Sequence, residues 1–236
     1  MPGVLFNCAA VIVGAIIGTL CGNRIPKKLT DAIMSCIALV TMIIGVQSAI
    51  GTSDIMIVMI CLSLGTVVGV ALRLDDRMNG AAAYLKDRLS STPFGKGRFA
   101  EGFVTTSLLF CIGAMAVVGS IQAGLEHNYK ILYAKSAIDF ISAIVYSAAL
   151  GPGVLFSAVS ILVIQGSIAL LAGIVSPLLG PQVVAEMSAV GGAMFIGMGL
   201  NLLNATPERI KIGDMLPGIL LPIIYFPIVD LISKIL

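Results

Sequence analysis

Tryptophan is absent from this chain of 236 residues, and histidine occurs once, at His127. A lone imidazole excludes the common zinc ligand sets, and the five cysteines, Cys8, Cys21, Cys36, Cys61 and Cys111, never fall at CxxC spacing. Their odd number and their places inside or at the edge of apolar stretches read as small buried hydrophobes. No metal site and no other cofactor is expected. Charge is equally scarce: Asp, Glu, Lys and Arg make up 11% of the residues, against about 25% in soluble domains, so a water-facing surface of ordinary extent cannot be built. A net charge of +2, with no basic run interleaved with aromatics, excludes nucleic acid as a partner. No Ser/His/Asp set, ligand cluster or phosphate-binding loop is present, and the chain is not expected to be an enzyme.

What is present is apolar sequence, with 58% hydrophobic residues and a mean hydropathy of +1.07. About 20 apolar residues cross the hydrocarbon as a helix, and runs bounded by charge, Gly or Pro give eight spans: 4–22, 30–50, 54–72, 101–122, 131–150, 153–175, 183–204 and 213–233. The expected fold is therefore all-α, a polytopic transmembrane helix bundle forming one domain over 1–236, with the lipid bilayer as its main partner. The first run has no basic segment before it, since Arg24, Lys27 and Lys28 follow it. It is expected to be retained as a span and not cleaved as a secretory signal.

Basic residues orient the spans. Arg24, Lys27 and Lys28, then Arg73, Arg77, Lys86, Arg88, Lys96 and Arg98, then Arg209 and Lys211 fall in three loops, which eight spans place on one face. That face carries 11 of the 14 Lys and Arg. By the positive-inside rule it is cytoplasmic and both termini are periplasmic, as expected of a multi-pass protein of the bacterial inner membrane. Residues 73–100 form the one sizeable extramembrane segment. There Met78, Ala82, Leu85 and Leu89 recur at helical spacing before Ser90-Ser91-Thr92-Pro93, which predicts an amphipathic interfacial helix. A structural collar and a gating or regulator-binding element are the two roles open to it.

Two stretches echo each other. Gly3-Val4-Leu5-Phe6 opens span 1 and Gly153-Val154-Leu155-Phe156 opens span 6. Pro26 matches Pro177, Met34-Ser35 matches Met187-Ser188, Gln47 matches Asn201, and Asp54 matches Asp214. Residues 3–72 thus read as repeat 1 and 153–233 as repeat 2, separated by the 73–100 segment and a central hairpin over 101–150. Five spans precede the second unit, so the two three-helix repeats are inverted. Such repeats recur in transporters that expose a midplane site alternately to either side. A duplication retained in a static bundle is the other reading.

Polar residues inside the spans mark candidate sites, because a charge at the bilayer centre costs at least about 2.5 kcal/mol. Lys135, Asp139, Ser142 and Tyr146 share a stripe on span 5, opposite Ile138, Ile141, Ile144, Val145 and Ala148. Lys135 and Asp139 can pair at i, i+4, either as a substrate- or proton-coupling site or as neutral glue between helices. On span 7, Glu186 and Asn201 bracket a face of small residues, with Glu186 close enough to the span start to sit at the interface. Glu101 and Thr105 on span 4, Asn7 on span 1, Gln47 on span 2 and Gln165 on span 6 complete the set. Gly14 and Gly18 form a GxxxG pair suited to packing. Pro217, Pro222 and Pro227 interrupt span 8, as kinks or as breaks that bare carbonyls.

The segment Glu101-Gly-Phe-Val-Thr-Thr-Ser-Leu-Leu-Phe-Cys-Ile-Gly-Ala-Met-Ala116 resembles the bacterial membrane family known as domain of unknown function 554. Lys135-Ser-Ala-Ile-Asp139, Gly151-Pro-Gly-Val-Leu-Phe156 and Ala185-Glu-Met-Ser-Ala-Val-Gly-Gly192 through Leu203 resemble it too. The resemblance runs over essentially the whole chain and implies an inner-membrane protein suspected of transport, without a substrate. The leading functional expectation is a secondary transporter of a small solute or ion. In it Lys135 and Asp139 bind or couple, Glu186 takes a proton or cation, and Asn201, Gln47, Asn7 and Thr105 coordinate polar groups. A passive channel or a non-transporting scaffold or sensor is the alternative, and a homodimer is an open option.

Overall fold

In lipid every backbone N–H and C=O must be satisfied within the protein, which leaves the helix as the natural form for these apolar runs. A computed structural model describes residues 1–22, 26–88 and 98–235, and among these it contains helices, turns and no strands. Helices α1 (Pro2–Gly22), α2 (Lys27–Ala49), α3 (Ile55–Leu72), α7 (Lys130–Leu150) and α10 (Pro181–Leu203) are each continuous. Asp54 starts α3 by accepting a hydrogen bond from the Met56 N–H at 2.9 Å.

Three of the expected spans are broken. Residues 101–122, read as one helix, form α5 (Phe99–Cys111) and α6 (Ala114–Leu125), which meet at an angle of 61°. The cause is local: Ile112 is extended at φ −94 and Gly113 sits at φ 135, a conformation that favours glycine. The span beginning at 153 opens as a 3-10 turn over Pro152–Phe156, continues as α8 (Ser157–Leu170) and ends in the single turn α9 (Ala172–Val175). The last span is a 3-10 turn over Ile212–Met215, then α11 (Pro217–Leu220) and α12 (Pro222–Ile235), with prolines at the two restarts and Pro227 inside α12.

Close contacts give the helix directions. Gly14, Gly18 and Gly22 lie against the carbonyls of Phe140, Ile144 and Ala148, so α1 and α7 run parallel, and the GxxxG pair is a packing seam. Gly45 abuts Gly192, and Gly199 abuts Ala38, so α2 and α10 are antiparallel. Gly65 against Gly218 and Gly69 against Asp214 set α3 antiparallel to the last span. Met1 reaches Gly166 while Cys8 Sγ donates to the Ala158 carbonyl at 3.4 Å, so α1 and α8 are antiparallel. Phe99 meets Gly153 at one end of α8 and Gly124 meets Ala169 at the other. The α5–α6 pair therefore traverses the bundle as one broken span and does not turn back. Among the described residues seven helical segments are long and apolar enough to cross a membrane, eight when the bent α5–α6 pair counts as one, and residue 1 and the end of α12 lie at one end of the bundle.

The opposite end carries α4 (Leu74–Arg88), the helix expected within 73–100. Arg73, at φ 51, turns the chain into it. Asp75 donates its N–H to Asp214 Oδ1 at 3.0 Å and accepts from the Gly213 N–H at 3.1 Å. Arg209 donates to Asn79 Oδ1 at 3.1 Å, and Lys211 lies 3.6 Å from Asp76. Met78 packs against the apolar cluster that contains Phe195, Met198 and Ile212. Leu89, Ser90-Ser91-Thr92-Pro93, Arg24 and Lys96 lie outside the described residues, as do the side chains of Lys27, Ala82, Leu85, Lys86 and Arg88.

Candidate functional site

The expected stripe on α7 is realised. Lys135 and Asp139 are 6% and 5% exposed and Tyr146 5%, while Ile138 and Ile141 on the other side are 55% and 62% exposed. Lys135 Nζ pairs with Asp139 Oδ2 one helical turn away. On α1, the fully buried Asn7 donates from Nδ2 to the same Asp139 Oδ2 at 3.0 Å and, more weakly, to Gln165 Oε1 on α8 at 3.4 Å. Gln165, equally buried, donates from Nε2 to the Phe110 carbonyl at 3.1 Å. Four of the nine candidate residues, on α1, α7 and α8, thus form one polar chain that ends on the Phe110 carbonyl of α5.

The break in α5 explains its last link. A continuous helix would return the Phe110 carbonyl to the N–H of Ala114, but the chain turns at Ile112–Gly113 and Ala114 begins a new helix. The freed carbonyl is claimed by Gln165. The Phe110 ring stacks under the ammonium, with Lys135 Nζ 5.8 Å from its centroid, a distance at which the ring quadrupole attracts a cation. Around this island lie the fully buried Val4, Val11, Leu132 and Ile161, with Cys8 and Cys111. In such surroundings an isolated charge is untenable and a pair with satisfied hydrogen bonds survives.

One atom in the island is unpaired. Asn7 Oδ1 is buried and has no hydrogen-bond partner among the described residues. Reversing the amide would not cure this, because it would point the oxygen at Asp139 and leave the carboxylate facing no amide N–H.

The remaining candidates lie elsewhere. Glu101, Thr105 and Asn201 line a cavity of about 420 Å³ at the α4 end of the bundle, together with Arg98 and Arg209. Arg98 Nη2 donates to Glu101 Oε1 at 2.7 Å. Asn201 is committed to the Ile210 backbone, donating to its carbonyl at 2.8 Å and accepting from its N–H at 2.9 Å. Val104, Leu108, Met194, Phe195 and Met198 form an apolar cluster next to this cavity. Glu186 is fully buried near the other end. It accepts from Thr52 Oγ1 at 2.6 Å and from the Ser53 N–H and Oγ, both at 2.7 Å, which clasps the α2–α3 connection. Gln47 is exposed near the end of α2.

Sequence reasoning missed the Phe110 carbonyl, because a backbone group has no signature of its own. Gly113 at the middle of span 101–122 was the available signal. It also missed Thr52 and Ser53, the donors that occupy Glu186.

The fold and this island define a class: a polytopic membrane helix bundle with an ion pair buried beside a broken span. The sequence profile of the family described as Protein of unknown function (DUF554) matches residues 2–227, and the chain belongs to that family. Over 221 residues, 93% of each chain, it is 28% identical to the uncharacterized protein YqgA of Escherichia coli (strain K12). Over 226 residues, 94% of each chain, it is 27% identical to the uncharacterized membrane protein YdfK of Bacillus subtilis (strain 168). No solved structure matches it.

Proposed function

We propose that this chain is a secondary transporter of a small solute or ion, working by alternating access between inverted repeats 3–72 and 153–233. The observation that carries the reading is the Lys135–Asp139 pair, joined through Asn7 and Gln165 to the carbonyl that the α5–α6 break releases. A buried pair is no gain in stability over apolar packing, and a break removes backbone bonds, so their coincidence suits a site that binds and moves.

The packing supports the repeat reading. Each matched pair of spans runs antiparallel: α1 with α8, α2 with α10, and α3 with the α11–α12 span. On the α2–α10 seam, Ala38 meets Gly199 and Gly45 meets Gly192. The spacing that equates Gln47 with Asn201 also equates Ala38 with Gly192 and Gly45 with Gly199, so the seam maps onto itself. An apolar cluster lies between the cavity and the α5–α6 break, which favours alternating access over an open channel. In a bacterial inner membrane the α4 end, with Lys28, Arg73, Arg77, Arg98, Arg209 and Lys211, faces the cytoplasm, and residue 1 faces the periplasm.

Proteoliposomes containing the full chain, tested with a panel of amino acids, organic acids and monovalent cations, check this reading. Saturable, gradient-driven uptake with counterflow is expected for at least one member. A steady conductance without counterflow would assign a channel, and no flux at all would leave a scaffold or sensor.

A further inference from the structure

We infer that the cavity at the α4 end of the bundle binds a small aliphatic monocarboxylate, with the carboxylate on Arg209 and Thr105 and the apolar part against Val104, Met198 and Ile212. The site is separate from the Lys135–Asp139 island, so the inference goes beyond the transporter reading and stands on binding alone. At about 420 Å³ the cavity falls among small-molecule sites, which span roughly 300–1,000 Å³.

The starting point is Thr105, which is 3% exposed and lines the cavity one turn along α5 from Glu101. Buried threonines on other helix faces return their hydroxyl to the carbonyl four residues back. Thr41 donates to Ile37 at 2.8 Å, and Thr106, the next residue, to Gly102 at 2.7 Å. Thr105 has no hydrogen-bond partner among the described residues. A buried hydroxyl is rarely left so, and this one is available to whatever occupies the cavity.

The rest of the polar lining decides the sign of the guest. Glu101 gives Oε1 to Arg98 Nη2 at 2.7 Å and Oε2 to Arg98 Nε, so this pair is neutral and both carboxylate oxygens are taken. Asn201 is spent on Ile210, and Thr206 donates to the Glu208 carbonyl at 2.7 Å. The exposed Asn204 amide can serve either as donor or as acceptor. Arg209 remains. Its Nη1 donates to Asn79 Oδ1 at 3.1 Å. The acid facing it, Asp75, is 4.0 Å from Nη2 and gives its own oxygens to the Gly213 N–H and Asn79 Nδ2. Most of the five guanidinium N–H groups are therefore unspent. The lining offers donors and one loosely matched positive charge, which suits an acceptor with a single negative charge.

The apolar lining narrows the class further. Val104, Met198, Leu202 and Ile212 share the cavity with these donors and would cover the carbon skeleton of a guest. Sulfate and phosphate have no such part. A carboxylate has one, and its two oxygens match the planar fork of a guanidinium. An α-amino acid would also bring an ammonium, which finds the Glu101 oxygens already taken by Arg98.

The test titrates the purified full-length chain in detergent with propionate, lactate and pyruvate by isothermal calorimetry, beside propionamide, alanine and sulfate. At least one of the three carboxylates should bind at one site with a Kd of about 1 mM or below, an ordinary substrate affinity. The amide, the amino acid and sulfate should bind about tenfold more weakly or not at all. Thr105→Val keeps the shape and removes the hydroxyl. It should weaken binding about tenfold, as loss of a hydrogen bond to a charged group does, and leave the unfolding temperature of the ligand-free protein unchanged. Arg209→Gln should weaken binding about tenfold or more. Wild-type protein that binds none of the three carboxylates overturns the proposal. So does binding unchanged in either variant, or propionamide, alanine or sulfate bound as tightly as the carboxylate. Should Arg209→Gln fail to fold, because it also loses Asn79, Thr105→Val decides alone. Carboxylate binding by a protein that moves no solute in vesicles keeps this site and removes the transporter reading; uptake of another solute without carboxylate binding does the reverse.

Discussion

Gln165 Nε2 donates to the carbonyl of Phe110 at 3.1 Å, from one helix to the broken end of another. The bond satisfies a backbone oxygen that the turn at Ile112–Gly113 deprives of its helical partner. Replacing Gln165 by Leu should therefore cost about 1–3 kcal/mol, the penalty for a buried acceptor left without a donor. Thermal unfolding in detergent measures it. A Leu variant as stable as the wild type would mean that the carbonyl finds another donor.

Asp139→Asn separates a functional ion pair from a structural one. The change keeps the shape and leaves the Lys135 ammonium without its counter-ion, so a loss of stability of up to about 3–5 kcal/mol is expected. Combining it with Lys135→Met removes both charges and should recover stability. Transport should be absent from both variants. Full uptake by the double variant would make the pair mere glue between helices.

Gly113→Ala tests the break itself. An added Cβ would meet no atom within 4 Å, so any cost comes from the backbone at φ 135 and not from crowding. A destabilisation of about 1–3 kcal/mol is expected, the ordinary cost of holding a non-glycine residue in such a region. Equal stability would show that the chain can straighten here.

Glu186 is held by Thr52 and Ser53 through three hydrogen bonds. Glu186→Gln replaces a charged acceptor by an amide with one oxygen and should lower stability by about 1–3 kcal/mol. The fall should appear in the unfolding temperature. A fully stable variant that has lost uptake would return Glu186 to the coupling role expected from its sequence position.

Orientation is checked by cysteine accessibility in a background lacking the five native cysteines. A cysteine at Glu126, in the exposed α6–α7 connection, should react with an impermeant reagent in intact cells, whereas one at Asp76 on α4 should react only after permeabilisation. The reverse pattern would invert the assignment of the two faces.

Much of this protein is written locally. Twenty apolar residues in a row can meet lipid only as a helix, so the number of crossings and their approximate limits follow from composition alone. The faces of α7 follow from a period of 3.6, which sets Lys135 and Asp139 together and Ile138 and Ile141 opposite. Even the break in α5 had a local mark in Gly113, although a glycine in an apolar run is more often plain packing. Which polar residues meet is a different kind of fact. Asn7 and Gln165 are 158 positions apart, and nothing in either segment states that α1 and α8 cross beside α7. Glu186 and Asn201 bracket one face of the same span, and it is the packing that gives Glu186 to the α2–α3 connection and Asn201 to Ile210. Hydrogen bonds and ion pairs act over about 3 Å, so their partners are chosen by how the helices pack. That choice belongs to the tertiary structure.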